Sequence, residues 1–128
     1  MINQKKLFTP VKSINADETK TLIAGQTEGA YTLLDVRQPG EYESEHLPGA
    51  KLIPLPDLKD AFSQLDSLKP VIVYCRSGSR SLAAAQLLSG LGFDEIYNLE
   101  GGIMGWQGLK ALGPKELNLD LVHGDETP

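Results

Sequence analysis

The sequence predicts an α/β domain with a three-layer α/β/α arrangement, in which a mainly parallel sheet carries helices on both faces. Three observations predict it. Short apolar runs alternate along the chain with stretches of helical spacing. The runs LLDV, VIVY and EIYNL show little polar alternation, as strands covered on both sides do. Gly and Pro fall between the runs as punctuation, without repeats or low-complexity tracts. With 128 residues, 41% of them hydrophobic, the chain is long enough to bury one core without staples. The domain is expected over 8–110, with 111–128 a tail that is partly docked, through Leu117, Leu119 and Leu121, or flexible.

VKSI (Val11 to Ile14) is the first expected strand. A helix follows in NADETKTLIAG, with Asn15 or Asp17 to cap it and Gly25 past its end. Tyr31 to Val36 reads as a buried strand, ended by the Pro39-Gly40 turn. The polar piece EYESEH is a short helical candidate, and the turn LPGA leads into a strand in KLIPL. DLKDAFSQLDSL spaces Leu58, Phe62 and Leu65 on one helical face, with Leu68 a further turn along, before Lys69-Pro70 stops it. VIVY (Val71 to Tyr74) is a central strand. Ser81 to about Ser89 forms a helix with Ala84, Leu87, Leu88 and Leu91 along one face. EIYNL is the last strand, and GGIMGWQGL a final short helix.

The net charge of −5 argues against general nucleic-acid or anionic-membrane binding, which need a basic footprint. No apolar run reaches the ~20 residues that span a bilayer. The start MINQKKLFTP has lysines but no apolar stretch behind them, so the cytoplasm is the expected compartment. A single cysteine excludes an internal disulfide, and two separated histidines do not suggest a metal set, so neither metal nor organic cofactor is implied.

That cysteine, Cys75, falls at the carboxyl end of an expected strand, the edge where open α/β sheets bind ligands. The loop RSGSR follows and then a helix, whose free N–H groups and dipole favour an anion. Gly78 permits a tight backbone, and Ser77 and Ser79 add hydroxyl donors. From Ser67 to Phe93 there is no Asp or Glu, and the charged residues are Lys69, Arg76 and Arg80. Two arginines at a helix start are unfavourable unless an anion sits there. A free thiol has a pKa of ~8.5, and such surroundings lower it to roughly 3.5–7.5. Cys75 is therefore expected to be an ionised nucleophile. A lone cysteine after a strand is by itself most often a small buried hydrophobe. The arginines and the following helix reverse that balance. The Gly-Lys-Ser/Thr of a nucleotide-binding loop is absent.

At these residues the chain resembles the single-domain rhodanese family of sulfurtransferases. LLDVRQPGEYESEHLPGA (Leu33 to Ala50) resembles its Asp-x-Arg and His-[Ile/Leu]-Pro-Gly-Ala signature. VIVYCRSGSRS (Val71 to Ser81) is similar to its active-site loop, and NLEGGIMGW (Asn98 to Trp106) to its Gly-Gly-x-x-x-Trp element. The resemblance implies a central parallel sheet of about five strands and a two-step reaction. Cys75 takes the sulfane sulfur of a small anionic donor such as thiosulfate and becomes a persulfide. A small thiol, cyanide or a thioredoxin-like acceptor then removes the outer sulfur. Arg76 is expected to attract the donor, and Arg80 to bind substrate or brace the loop, with Asp35 a candidate partner.

Asp35, Arg37 and His46 are possible site supports. A structural ion pair is expected of Asp35 and Arg37, with Glu43 a candidate partner for Arg37, and loop bracing of His46. Glu41 and Glu43 are expected to be solvated, as is His123. Tyr97 and Trp106 are expected to pack in the core, and Gly101 and Gly102 to turn the chain. Glu45 stands where the family often has Gly, so a slightly different backbone is expected before His46.

Two alternatives remain. Cysteine phosphatases and some arsenate reductases of this fold carry a loop one residue longer, able to wrap a tetrahedral phosphate. They also carry His where Tyr74 stands. A non-catalytic, partner-binding or redox-sensing module of the same family is the other, although such modules commonly lack the cysteine.

Overall fold

The structure, a computed structural model, describes residues 8–113. Strands β1 (Val11–Ile14), β2 (Thr32–Asp35), β3 (Lys51–Leu52), β4 (Val71–Tyr74) and β5 (Ile96–Leu99) form one sheet in the order β1-β5-β4-β2-β3. Every pairing in it is parallel. The helices are α1 (Ala16–Ala24), α2 (Pro39–Ser44), α3 (Leu55–Ala61) and α4 (Ser79–Ser89).

The two-residue period of a strand divides the core between the two faces. Leu34, Val36, Val71, Val73, Cys75 and Ile96 pack with Leu58 of α3 and with Ala84, Ala85 and Leu88 of α4. Leu33, Ile72, Tyr74, Tyr97 and Leu99 face the other way, against Tyr42 of α2 and the partly buried Leu22 and Ile23 of α1. Cys75 thus continues the register of Val71 and Val73 and leaves the sheet on the α4 side.

Chain direction creates a crevice beside it. From β2 the chain moves outward through α2 to β3, whereas from β4 it moves the opposite way through α4 to β5. Since β2 and β4 are neighbours, their carboxyl ends form a topological switch point.

Local chemistry explains where the elements begin and end. Asn15, not Asp17, caps α1, in a reciprocal pair: its side chain accepts from the Glu18 N–H, and Glu18 accepts from the Asn15 N–H. Helix α2 starts at Pro39 itself, a residue suited to the first helical position, so Pro39-Gly40 opens a helix instead of making a free turn. Helix α4 starts at Ser79, two residues before the expected Ser81, which moves Arg80 from the loop into the first turn.

Three expectations need correction. The run KLIPL is divided: the β3 ladder covers Lys51–Leu52, Pro54 has no N–H to extend it, and Leu55 already belongs to α3. The next helix ends at Ala61, a 3-10 turn covers Phe62–Gln64, and Leu68 is 76% exposed. Asp66 accounts for that, because its carboxylate accepts from the Leu68 N–H at 2.9 Å and offers the backbone a turn in place of helix. The final GGIMGWQGL segment contains only a 3-10 turn, Ile103–Gly105.

Beyond it, Ala111 is buried and forms an antiparallel bridge with His46. The tail leucines Leu117, Leu119 and Leu121, and His123, lie outside the described residues. Among the described residues no helix is long and apolar enough to cross a membrane.

Candidate functional site

Cys75 sits at the base of the switch-point crevice, 1% exposed, where β4 gives way to the loop into α4. The Gly78 N–H donates to its Sγ at 3.1 Å. Gly78 has φ 116°, a left-handed conformation that a side chain would strain, and this turn brings its N–H back onto the sulfur. Helix α4 has no side-chain cap and no acid in its first turn. Its leading N–H groups therefore remain available to an anion. Ser77 and Ser79 are exposed on the loop, and Arg76 extends into solvent beside them.

A second segment holds the loop in that orientation. The Ile103 N–H donates to the Cys75 carbonyl at 2.9 Å, and the Met104 N–H to the Arg76 carbonyl at 3.1 Å. With these carbonyls bonded to the 3-10 turn, the negative ends of their dipoles are held away from the sulfur. Gly102 makes the contact possible. A Cβ there would lie 2.4 Å from the Arg76 oxygen and 2.6 Å from the Cys75 oxygen. The expectation that Gly102 turns the chain is met, and the close approach of two backbones adds a stricter requirement for glycine.

Burial pushes the Cys75 thiol up, but hydrogen bonds from the Ser81 hydroxyl and from the N–H groups of Ser81, Gly78 and Ser77 outweigh it, and the net shift is downward. The direction agrees with the sequence expectation, as do the loop and helix N–H donors; the arginines expected beside them are not among the chief causes. Ser81 is fully buried, and its hydroxyl also lies 2.6 Å from Asn98 Oδ1 on β5 and 3.1 Å from the Gly78 carbonyl.

Arg80 is engaged elsewhere. Its Nη1 and Nη2 donate to the two carboxylate oxygens of Glu41, at 2.9 and 3.1 Å, and tie α4 to α2 across the crevice. Those bonds hold the Glu41 carboxyl at about 2, far below its ordinary range. Glu41 is thus a partly solvated partner of Arg80 and not a free acid, and Asp35 is not what braces Arg80. Nothing local in the sequence announces this pair, since 39 residues separate its members.

Asp35 and Arg37 form a buried bidentate pair, with Nε to Oδ1 at 3.0 Å and Nη2 to Oδ2 at 2.8 Å. Arg37 Nη2 also donates to the Glu45 carbonyl at 2.7 Å, and its guanidinium lies over the Tyr74 ring. Burial works against the Arg37 charge, but Asp35 more than compensates. This is the expected structural pair, with Asp35 as the partner and Glu43 exposed. Tyr74 extends the brace, since its hydroxyl accepts from the Leu47 N–H at 3.0 Å. His46 is fully buried, stacked on Tyr42 at 3.7 Å, with Nδ1 2.8 Å from the Tyr42 carbonyl. It braces the loop and does not reach the thiol loop in any hydrogen bond found among the described residues. Glu45 has φ −172°, extended backbone that any residue adopts, so the absence of glycine there costs nothing.

Beside the thiol loop, reaching it through Arg76, lies a cleft of about 370 Å³ lined by Arg37, Glu41, Glu45, Arg76, Met104 and Lys110, among others. The site therefore joins a buried thiol with a lowered pKa, converging donors and an exposed cation. Sequence reasoning found Cys75 and its loop. It missed Glu41, the Ser81 hydroxyl, Asn98 and the Ile103 and Met104 N–H groups, for which the segment NLEGGIMGW was the available sign.

Known proteins match this chain in sequence and fold. The sequence profile of the Rhodanese-like domain matches residues 16–109. The uncharacterized protein YqhL of Bacillus subtilis is 44% identical over 92 residues, which cover 70% of this chain and 73% of that protein. The thiosulfate sulfurtransferase GlpE of Pseudomonas syringae is 33% identical over 100 residues, 78% of this chain and 91% of that one. A rhodanese-like domain protein from Staphylococcus aureus superposes with a TM-score of 0.68 at 30% identity, over 75% of this chain and 91% of its own. The chain belongs to the rhodanese-like domain family.

Proposed function

We propose that the chain is a sulfurtransferase that carries a sulfane sulfur as a persulfide on Cys75. The observation that carries this reading is the environment of Cys75 Sγ: one thiol, buried, approached by the Gly78 N–H at 3.1 Å and with its pKa lowered by the donors of its loop and helix. With thiosulfate, the Cys75 thiolate attacks the outer sulfur, forms an S–S bond and displaces sulfite with the electron pair of the broken bond. The loop N–H groups then stabilise the terminal sulfur anion as an oxyanion hole stabilises oxygen. An acceptor thiolate or cyanide next attacks that outer sulfur and returns the pair to Cys75.

Burial fits the two steps. Cys75 is almost inaccessible, so a donor must present a slender, terminal sulfur. Once loaded, the reactive atom stands about 2 Å beyond Sγ. A thiolate with a lowered pKa needs no general base, and His46 is occupied in bracing. Arg76 is the loop cation free to meet an anionic donor.

Two features support sulfur over phosphate. Four residues, Arg76 to Ser79, separate Cys75 from Arg80, one fewer than the phosphatase pattern requires. The Arg80 guanidinium is also paired with Glu41 and not open to a phosphate in the loop. Retention of the thiol in anion-stabilising surroundings supports catalysis over a binding-only module. The test offers thiosulfate with cyanide and, separately, an aryl phosphate. Thiocyanate formation that is lost in Cys75→Ser is expected; phosphate release without thiocyanate would overturn the proposal.

A further inference from the structure

Charge in the cleft is more nearly balanced than the acid-free sequence around Cys75 suggests. Its lining holds Arg37, Arg76 and Lys110 together with Glu41 and Glu45. Arg37 is neutralised by Asp35 at 2.8 Å, and Lys110 lies 3.6 Å from Glu45. Arg80, at the start of α4 and next to Ser81, is neutralised by Glu41. Among the described residues, Arg76 is the one cation of the site without an acidic partner.

We propose that Glu41 is a specificity-determining residue: by occupying Arg80 across the crevice, it limits the site to about one unpaired positive charge and matches it to singly charged or neutral sulfane donors, an organic persulfide, over dianionic thiosulfate. This rests on the sulfur-transfer reading of Cys75 and specifies its donor. Both oxygens of Glu41 are used, so the fork of the Arg80 guanidinium is taken up by the carboxylate on α2. Two elements on opposite sheet faces hold the pair in place, α2 through Tyr42 and α4 through Ala84, Ala85 and Leu88. With an organic persulfide R–S–SH, the Cys75 thiolate attacks the outer sulfur, the S–S bond of the donor breaks, and RS⁻ leaves with its electron pair. The proton stays on the transferred sulfur. No oxidant or reductant is consumed.

The test separates charge at the mouth from sulfur chemistry. Cys75 is alkylated with iodoacetate, an anion, and with iodoacetamide, which is neutral, at one pH. The ratio of the two rate constants cancels the thiolate fraction and reports the potential at the thiol. Unmasking one charge a few ångströms from an incoming anion at a partly solvated site is expected to raise that ratio about three- to tenfold in Glu41→Gln. Arg80→Gln lowers it, and the double variant returns close to the parent, as expected of a pair acting as one neutral unit. An unchanged or lower ratio in Glu41→Gln would overturn the assignment. In the sulfur arm, the KM for thiosulfate falls in Glu41→Gln by more than the KM for cysteine persulfide does. Equal effects on the two donors would overturn the donor class. Because alkylation requires no sulfur transfer, its ratio decides the role of Glu41 even if neither donor loads Cys75, an outcome that would instead refute the sulfurtransferase reading and the donor class with it.

Discussion

Gly102 and Ser81 act on Cys75 from two sides of its loop, one through shape and the other through a hydrogen bond. Replacing Gly102 by Ala places a methyl group 2.4 Å from the Arg76 carbonyl oxygen, so the two backbones must separate. The left-handed φ of 59° adds strain. We expect Gly102→Ala to cost about 2–4 kcal/mol in denaturant unfolding. It should also lose most sulfur transfer, because the Ile103 and Met104 N–H groups no longer fix the loop carbonyls. Ser81→Ala has a different signature. It removes the foremost of the donors that lower the Cys75 thiol, so the pH profile of Cys75 alkylation moves upward while the fold is kept. A profile identical to that of the parent would show that the backbone donors suffice. The thiol and its loop were legible in the sequence because their residues are consecutive: a strand, a glycine turn and a helix start fix one another locally. Asn98 and the 3-10 turn reach the loop from another strand, and no local pattern encodes that contact.

At the scale of elements, α4 and α2 meet through Arg80 and Glu41 over the end of the sheet. The pair is partly solvated, with side chains 36% and 31% exposed, and such pairs contribute less than about 1 kcal/mol. Its pH dependence has a definite sign. Glu41 titrates at about 2 in the folded chain against an ordinary 4.5, so the folded state holds its proton less tightly than the unfolded chain does. Its contribution is complete above 4.5, shrinks as pH falls through the interval and is gone below about 2. Urea unfolding of Glu41→Gln should therefore show a small deficit at neutral pH that closes over this range. A deficit that persists at the acid end would contradict the pairing. Element boundaries were harder to foresee than elements. Leu68 lies in phase with Leu58 and Leu65 yet stays exposed, because the helix has ended at Ala61 and the Asp66 turn takes the place of a further helical turn. Periodicity records which residues prefer burial, and it does not record a side chain that competes for the backbone.

For the molecule as a whole, the sheet order matters more than any single motif. Strand runs with little polar alternation foretold a parallel sheet with both faces covered, and the strand order β1-β5-β4-β2-β3 brings β2 beside β4. Only that adjacency places Asp35, Arg37 and Glu41, all from the first quoted signature, next to the thiol loop. A net charge of −5 also hides a local balance: acids cluster outside the segment from Ser67 to Phe93, and the fold then delivers one of them, Glu41, back to Arg80. The central claim is that Cys75 holds the transferred sulfur, and intact-mass spectrometry after brief exposure to thiosulfate or cysteine persulfide tests it most directly. We predict a gain of one sulfur atom, located on the Cys75 peptide, removed by cyanide and absent in Cys75→Ser. Sulfur transfer that proceeds without this adduct, or that survives Cys75→Ser, would contradict it.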